Sequence, residues 1–226
     1  MEGWINIFCE GKVDLFFLGD MISILYSYNY EKDKKGERVT LSFPTEKIKI
    51  IEVGGIGNLK DPIFYSQIED NTKMKGKNFV FFDADCSVKK NGNKGFENCN
   101  RKLNEFKQSK NLIFEHYIWP NHKLDGKIED LLLKLIPKDK QCIMECITNH
   151  QSCIKGTGLE DVKFTFDLKD LISLYIYTCN EKTNNELRDY KKTNLWSIDF
   201  EEIQELVQLK SFFDSHFLTF RDKILK

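Results

Sequence analysis

The stretch "IFCEGKVDLFF", residues 7 to 17, sets a short apolar run, a Glu10-Gly11-Lys12 turn and a second apolar run in succession. The first run extends from Trp4 to Cys9, too short for a helix and apolar enough for a buried strand. After the glycine, Val13 to about Tyr26 carries apolar residues at most positions, which predicts a well-buried helix. Strand, tight turn and helix form the opening unit of a parallel sheet, and the turn carries Glu10, with Asp14 one helical turn further on.

The same grammar recurs along the chain. Ile48 to Val53 makes a second short strand that "GGIGN" (54 to 58) terminates, and a helix is expected over Asp61 to Glu69 with Pro62 in its first turn. Asn78 to Phe82 is the strongest strand; it ends at Asp83-Ala84-Asp85, and a Lys/Asn/Gly loop leads to Gly95. Phe96 to Phe106 reads as a helix and Leu112 to Trp119 as a fourth strand stopping at Pro120. Residues 28 to 45, polar and rich in Lys, Asp and Gly, read as an exposed excursion. Lys127 to Ile136 has helical spacing through Ile128, Leu131, Leu132 and Leu135. From Gln141 onward the chain is helical in pattern, most clearly over Asp167 to Tyr177 and Phe200 to Phe217, the latter with Ile203, Leu206, Leu209, Phe213 and Phe217 as an inner stripe. Short strands alternating with helices predict an α/β fold with a mostly parallel sheet flanked by helices over residues 1 to 140. Residues 141 to 226 form a helical C-terminal extension packed on the same domain.

At 226 residues the chain can bury a sizeable core. Acidic and basic residues nearly cancel, 35 against 34, so contact with a polyanion has to be local or metal-mediated rather than the work of a global basic field. Seven cysteines without a repeat, and an N-terminus carrying Glu2 instead of a basic segment and long apolar core, predict a reducing cytoplasmic setting. No apolar run approaches the roughly 20 residues that span a bilayer, so no membrane association is expected.

In an open parallel sheet, ligands gather outside the carboxyl ends of the strands. Glu10 follows the first strand, Gly54-Gly55 the second, and Asp83 and Asp85 end the third. Within Asp-x-Asp the strand period of two sends both side chains the same way, so Asp83 and Asp85 are expected to share a ligand. Glu129, early in the helix after the fourth strand, could reach the same place. Two carboxylates about 5 Å apart repel by roughly 3 kcal/mol at an effective dielectric near 20, so converging acids call for a cation. A hard, all-oxygen set suits Mg²⁺ or Mn²⁺, the ions of phosphoryl chemistry.

"EGKVD" after one strand, a glycine-containing turn after the next and "FFDAD" after a third resemble the Toprim domain of topoisomerases, bacterial primases, small ribosomal-RNA maturation nucleases and overcoming-lysogenization-defect nucleases. "PNHKLDGKIEDLLL" with "LWSIDFEEIQELVQLKSFF" is similar to stand-alone bacterial Toprim-like proteins. The resemblance covers residues 4 to 136 closely and the tail loosely. It implies a Rossmann-like Toprim sheet in which Glu10 is a general acid/base or metal ligand and Asp83 and Asp85 are the metal-binding pair. Asp14 corresponds to the second acid of the small nucleases and Glu129 to the extra downstream acid of nuclease-type members. No catalytic tyrosine context for strand passage, no zinc module and no helicase-binding module accompanies these motifs, which points away from topoisomerases and primases. The expected activity is Mg²⁺- or Mn²⁺-dependent phosphodiester hydrolysis on nucleic acid or a nucleotide phosphate. In such a site Lys12 would balance charge on the reacting phosphorus, the Gly54, Gly55 and Gly57 amides would approach a phosphate, and Lys89, Lys90 and Lys94 would bind neighbouring phosphates. The alternative is a non-catalytic interaction or nucleotide-sensing module, the effector partner of an ATPase in phage defence.

Plainer readings stand beside these. Glu10 and Asp14 fit a helix N-terminus, Gly54 to Gly57 a sharp turn, Glu129 a solvated helix face, and the three lysines a soluble loop. Cys142, Cys146, His150 and Cys153 do not converge on one tetrahedral ion, because eight residues of helix span about 12 Å. His122 could move a proton near the crevice or simply occupy a turn.

Overall fold

The computed structural model describes residues 3–35, 38–85, 95–159, 166–179 and 189–218. Backbone contacts separate the chain into two compact units, residues 1–128 with 199–226, and residues 129–198.

In the first unit the apolar runs become β1 (Ile5–Cys9), β4 (Ile48–Glu52), β5 (Lys77–Asp83) and β6 (Glu115–Trp119), which pair in parallel in the order β4-β1-β5-β6. Helices α1 (Lys12–Tyr26), α2 (Pro62–Lys73) and α3 (Phe96–Ser109) connect them. The α/β fold with a mostly parallel sheet is thus as the sequence pattern predicts.

Residues 28 to 45 are a correction to that reading: they do not form an excursion but a hairpin, β2 (Glu31–Lys35) and β3 (Arg38–Phe43), added antiparallel to β4. Its inner strand alternates, with Val39, Leu41 and Phe43 buried, while its outer strand is charged throughout. Such charge is how an edge strand is kept from pairing with another chain. The hairpin is anchored to α1 where the Tyr30 hydroxyl donates to the buried Asp20 carboxylate at 2.9 Å.

Alternation along the strands divides the core into two layers. Phe8, Ile51, Val80, Phe82 and Ile118 pack under α2 and α3, against Phe64, Ile68, Cys99, Leu103 and Phe106. The opposite face carries Phe79, Phe81, Tyr117 and Trp119. Phe17 of α1 meets Trp119 edge-on at 5.7 Å, and α7 (Gln204–Phe213) brings Phe212 to 5.4 Å from Tyr117 and Phe213 to 6.0 Å from Phe81. The C-terminal aromatic stripe is therefore a sheet-covering layer of the first unit.

The second unit holds α5 (Gln141–Gly156), α6 (Leu168–Cys179) and most of α4 (Ile128–Lys134). Its core centres on Tyr175, whose hydroxyl donates to the Leu195 carbonyl at 2.7 Å, and on Trp196, which packs against Tyr175 and Tyr190 at 5.7 and 5.2 Å. Among the described residues no helix is long and apolar enough to cross a membrane.

Candidate functional site

The chain leaves β1 toward β4 on one side and returns through α2 to β5 on the other, so the strand order reverses between β1 and β5. A crevice opens at such a switch point, outside the carboxyl ends of the strands. Glu10 is the first residue past β1 and Asp83 the last of β5, and the register Cys9↔Phe81 sets them nearly side by side. The Asp83 amide donates to Glu10 Oε2 at 3.3 Å. On the other flank the Gly54 amide donates to the Glu10 carbonyl at 2.8 Å, tying in the exit from β4. Three neighbouring strand ends thus meet at Glu10.

Asp85 reaches this region differently from the strand-period expectation. β5 stops at Asp83, Ala84 is buried, and Asp85 has a left-handed φ of 59°, so two-residue alternation does not extend to it. The loop after β6 positions it instead. The Asp85 amide donates to the Gly126 carbonyl at 2.7 Å and the Asp85 carbonyl accepts the Gly126 amide in return at 2.9 Å, while Lys127 Nζ lies 3.3 Å from Asp85 Oδ1. The Ile128 amide donates to Asp83 Oδ1 at 2.9 Å. One loop therefore fixes both aspartates.

Two thiols register the charge of this region. Burial, and then the carboxylates of Glu10, Asp83 and Asp85, push the Cys99 thiol up to about 12. Cys9, wholly buried, is raised by burial and by Asp14, Glu52 and Glu10. The Glu10 carboxylate acts on both thiols. Both thiols stay protonated at neutral pH and leave the anionic donors to the carboxylates.

The other expected residues distribute as follows. Asp14 is buried in the first turn of α1, and its Oδ2 accepts the Gly11 amide at 3.1 Å, which fixes the turn behind Glu10. Lys12 opens α1 and is exposed. Gly54 and Gly55 take positive φ of 85° and 117°, a conformation that suits glycine, whereas Gly57 has an ordinary φ of −62° that any residue can adopt. Among the described residues the amides of Gly55, Ile56 and Gly57 donate to no protein group. Glu129 belongs to the second unit and is buried, not the solvated helix residue of the plainer reading. Lys89, Lys90 and Lys94 lie outside the described residues. His122 is not simply a turn residue: its Nδ1 accepts the Ile118 amide at 3.1 Å.

One acid was missed by sequence reasoning. Glu52 is the last residue of β4, paired beside Cys9, with its Oε2 buried and unpartnered among the described residues. Reading strand two as continuing to Val53 concealed it; an acid one residue before a glycine-ended strand was the available signal.

Whether these residues suit Mg²⁺ or Mn²⁺ turns on the donors. Glu10, Asp83 and Asp85 offer only carboxylate oxygens, and the thiol near them is held protonated. That set suits a hard cation that keeps several waters. Among the described residues no three His, Cys, Asp or Glu side chains are already gathered as a closed metal group.

Residues 5–215 match the family model described as "Protein of unknown function (DUF3226)". The chain belongs to this family. Its fold is similar to the crystal structure of the hypothetical protein PH0156 from Pyrococcus horikoshii OT3, with a TM-score of 0.54 and 16% identity over 99% of this chain and 100% of that one. At that identity the likeness concerns the fold. No curated protein matches the chain.

Proposed function

We propose that this member of the family is a metal-dependent phosphodiesterase acting on nucleic acid, with Glu10, Asp83 and Asp85 holding Mg²⁺ or Mn²⁺ at the carboxyl ends of β1 and β5. The observation that supports this best is the Asp83 amide on the Glu10 carboxylate at 3.3 Å, which ties the backbone of one acid to the side chain of the other at adjacent strand ends beside the switch point. A bound divalent ion would supply Lewis acidity to the scissile phosphate and acidify an attacking water.

The chain's own residues account for the rest of the reading. Glu10 is half-buried at the strand end, and its carboxylate is the group that would take a proton from an attacking water. Asp14 orients the Glu10-Gly11 turn rather than binding the ion. Lys12, exposed at the start of α1, supplies positive charge beside the phosphate. The Gly55, Ile56 and Gly57 amides offer hydrogen bonds to its oxygens at a strand end next to Glu10.

The test is cleavage of labelled single- and double-stranded DNA and RNA by the purified chain with Mg²⁺ or Mn²⁺, beside Glu10→Gln and Asp83→Asn. Metal-dependent cleavage that falls at least 100-fold in both variants is expected. Equal rates in wild type and variants, or no cleavage by the folded chain with either ion, overturns the reading.

A further inference from the structure

β6 is the terminal strand of the sheet among the described residues, so one of its edges has no neighbouring strand. The Trp119 carbonyl faces β5, where it accepts the Ala84 amide at 3.2 Å. By alternation, the amide and carbonyl of Ile118 face the open edge. An open edge costs hydrogen bonds or invites another strand.

His122 closes this edge. It folds back in a left-handed conformation with φ 59°, and its amide donates to the Ile118 carbonyl at 2.7 Å. Its imidazole Nδ1 accepts the Ile118 amide at 3.1 Å, so one residue supplies both groups that a further strand would have provided. The bond fixes the tautomer, with the proton on Nε2. Tyr117 stacks on the ring at 5.4 Å and 20°, and Phe96 of α3 meets it edge-on at 5.6 Å and 89°.

From that root the loop runs directly to the acid pair. Asn121 Oδ1 accepts the amides of Lys123 and Leu124 at 3.2 and 3.0 Å, forming a tight turn. Asp125 Oδ1 accepts the Phe96 amide at 2.7 Å and caps α3. Gly126 then bonds Asp85 in both directions, Lys127 pairs with Asp85, and the Ile128 amide holds Asp83.

We propose that His122 is a positioning residue for the acid site: by filling the open edge of β6 at Ile118 it anchors the loop 122–128 that holds Asp83 and Asp85. The role deepens the proposed activity, but amide exchange reads it without metal or substrate, so the two can fail separately. The titratable groups in contact with the imidazole are His116 and Tyr117 on β6, at ring-centroid distances of 5.6 and 5.4 Å; Lys107 on α3 acts on His116, and Lys123, Asp125 and Lys127 follow His122 in the same loop. Burial lowers the basicity of His122, which keeps Nδ1 free to accept at neutral pH. Protonation would set a donor against the Ile118 amide and release the root of the loop.

Two variants separate positioning from bulk. His122→Asn keeps an acceptor in the place of Nδ1, tolerates the left-handed backbone and does not titrate. His122→Leu keeps bulk and removes the acceptor. Amide exchange by NMR on the metal-free chain is expected to show protection at Ile118, Asp85, Gly126 and Ile128 falling at least tenfold in His122→Leu and staying within twofold of wild type in His122→Asn. Wild-type protection at these amides should also fall as pH drops beneath the ordinary imidazole value of 6.5, and that of His122→Asn should not. Unchanged exchange in His122→Leu, failure of His122→Asn to preserve protection, or the same acid response in wild type and His122→Asn overturns the proposal.

Discussion

Acidification should destabilise the first unit through His116, and the size of the effect follows from its surroundings. Its Nε2 lies 2.7 Å from Asn100 Oδ1 and donates to it, while Nδ1 is buried with no partner among the described residues. Adding a proton at Nδ1 would therefore place a charge where nothing accepts it. Burial, then His122 and then Lys107, bring its pKa from 6.5 down to about 4. At 1.36 kcal/mol per pH unit the drop corresponds to about 3 kcal/mol. The sign is that of a depressed group: the contribution is fully present above about 6.5 and is lost as pH falls toward 4. His116→Gln keeps a donor for Asn100 and does not titrate. Urea unfolding followed by tryptophan fluorescence, at pH steps from 7.5 to 4, should show wild type losing up to about 3 kcal/mol more than His116→Gln. Carboxylates titrate in both proteins and cancel in the difference. Parallel stability curves would mean that His116 takes up its proton equally readily in the folded and unfolded chain.

Other outcomes follow from packing, backbone and burial. Phe213 is wholly buried between Phe81 and Phe217, at 6.0 and 4.9 Å, so Phe213→Ala should cost about 3–5 kcal/mol in urea unfolding, showing that α7 is part of the sheet core. Gly54→Ala places a methyl at positive φ and 3.0 Å from Asn58 Nδ2, and should lower stability by about 1–2 kcal/mol, whereas Gly57→Ala, with ordinary φ and open space, should change it by less than about 0.5 kcal/mol in the same assay. Iodoacetamide labelling read by mass spectrometry should modify the exposed Cys142, Cys146 and Cys153 first, and Cys9 and Cys99 only on unfolding.

The parts of the fold that were legible in the sequence are those where burial and punctuation coincide. β1, β4 and β5 are apolar runs closed by Glu10-Gly11, Gly54-Gly55 and Asp83, and parallel pairing follows from the helices between them. The hairpin was hidden because its outer strand, Glu31–Lys35, is all charge, as an exposed edge demands; Val39, Leu41 and Phe43 did alternate, but within a segment whose composition spoke for a loop. The stripe Leu206, Leu209, Phe213 and Phe217 announced burial without saying against what, since a helix pattern carries no address. At the site, Glu10 and Asp83 were readable because strand ends in a parallel sheet converge by topology. The hold on Asp85 was not, because it depends on backbone hydrogen bonds with Gly126 and an ion pair with Lys127, which are distant in sequence. The edge role of His122 depends on a left-handed backbone turn that one-dimensional pattern does not encode.

The most direct test of the acid site is the binding of Mn²⁺, followed by its electron paramagnetic resonance signal in titrations of wild type, Glu10→Gln, Asp83→Asn and Asp85→Asn, each checked for folding by circular dichroism. Wild type should bind Mn²⁺ saturably, and each variant at least tenfold more weakly. Variants that bind Mn²⁺ as wild type does, or a folded wild type that binds none, would mean that these carboxylates hold no ion.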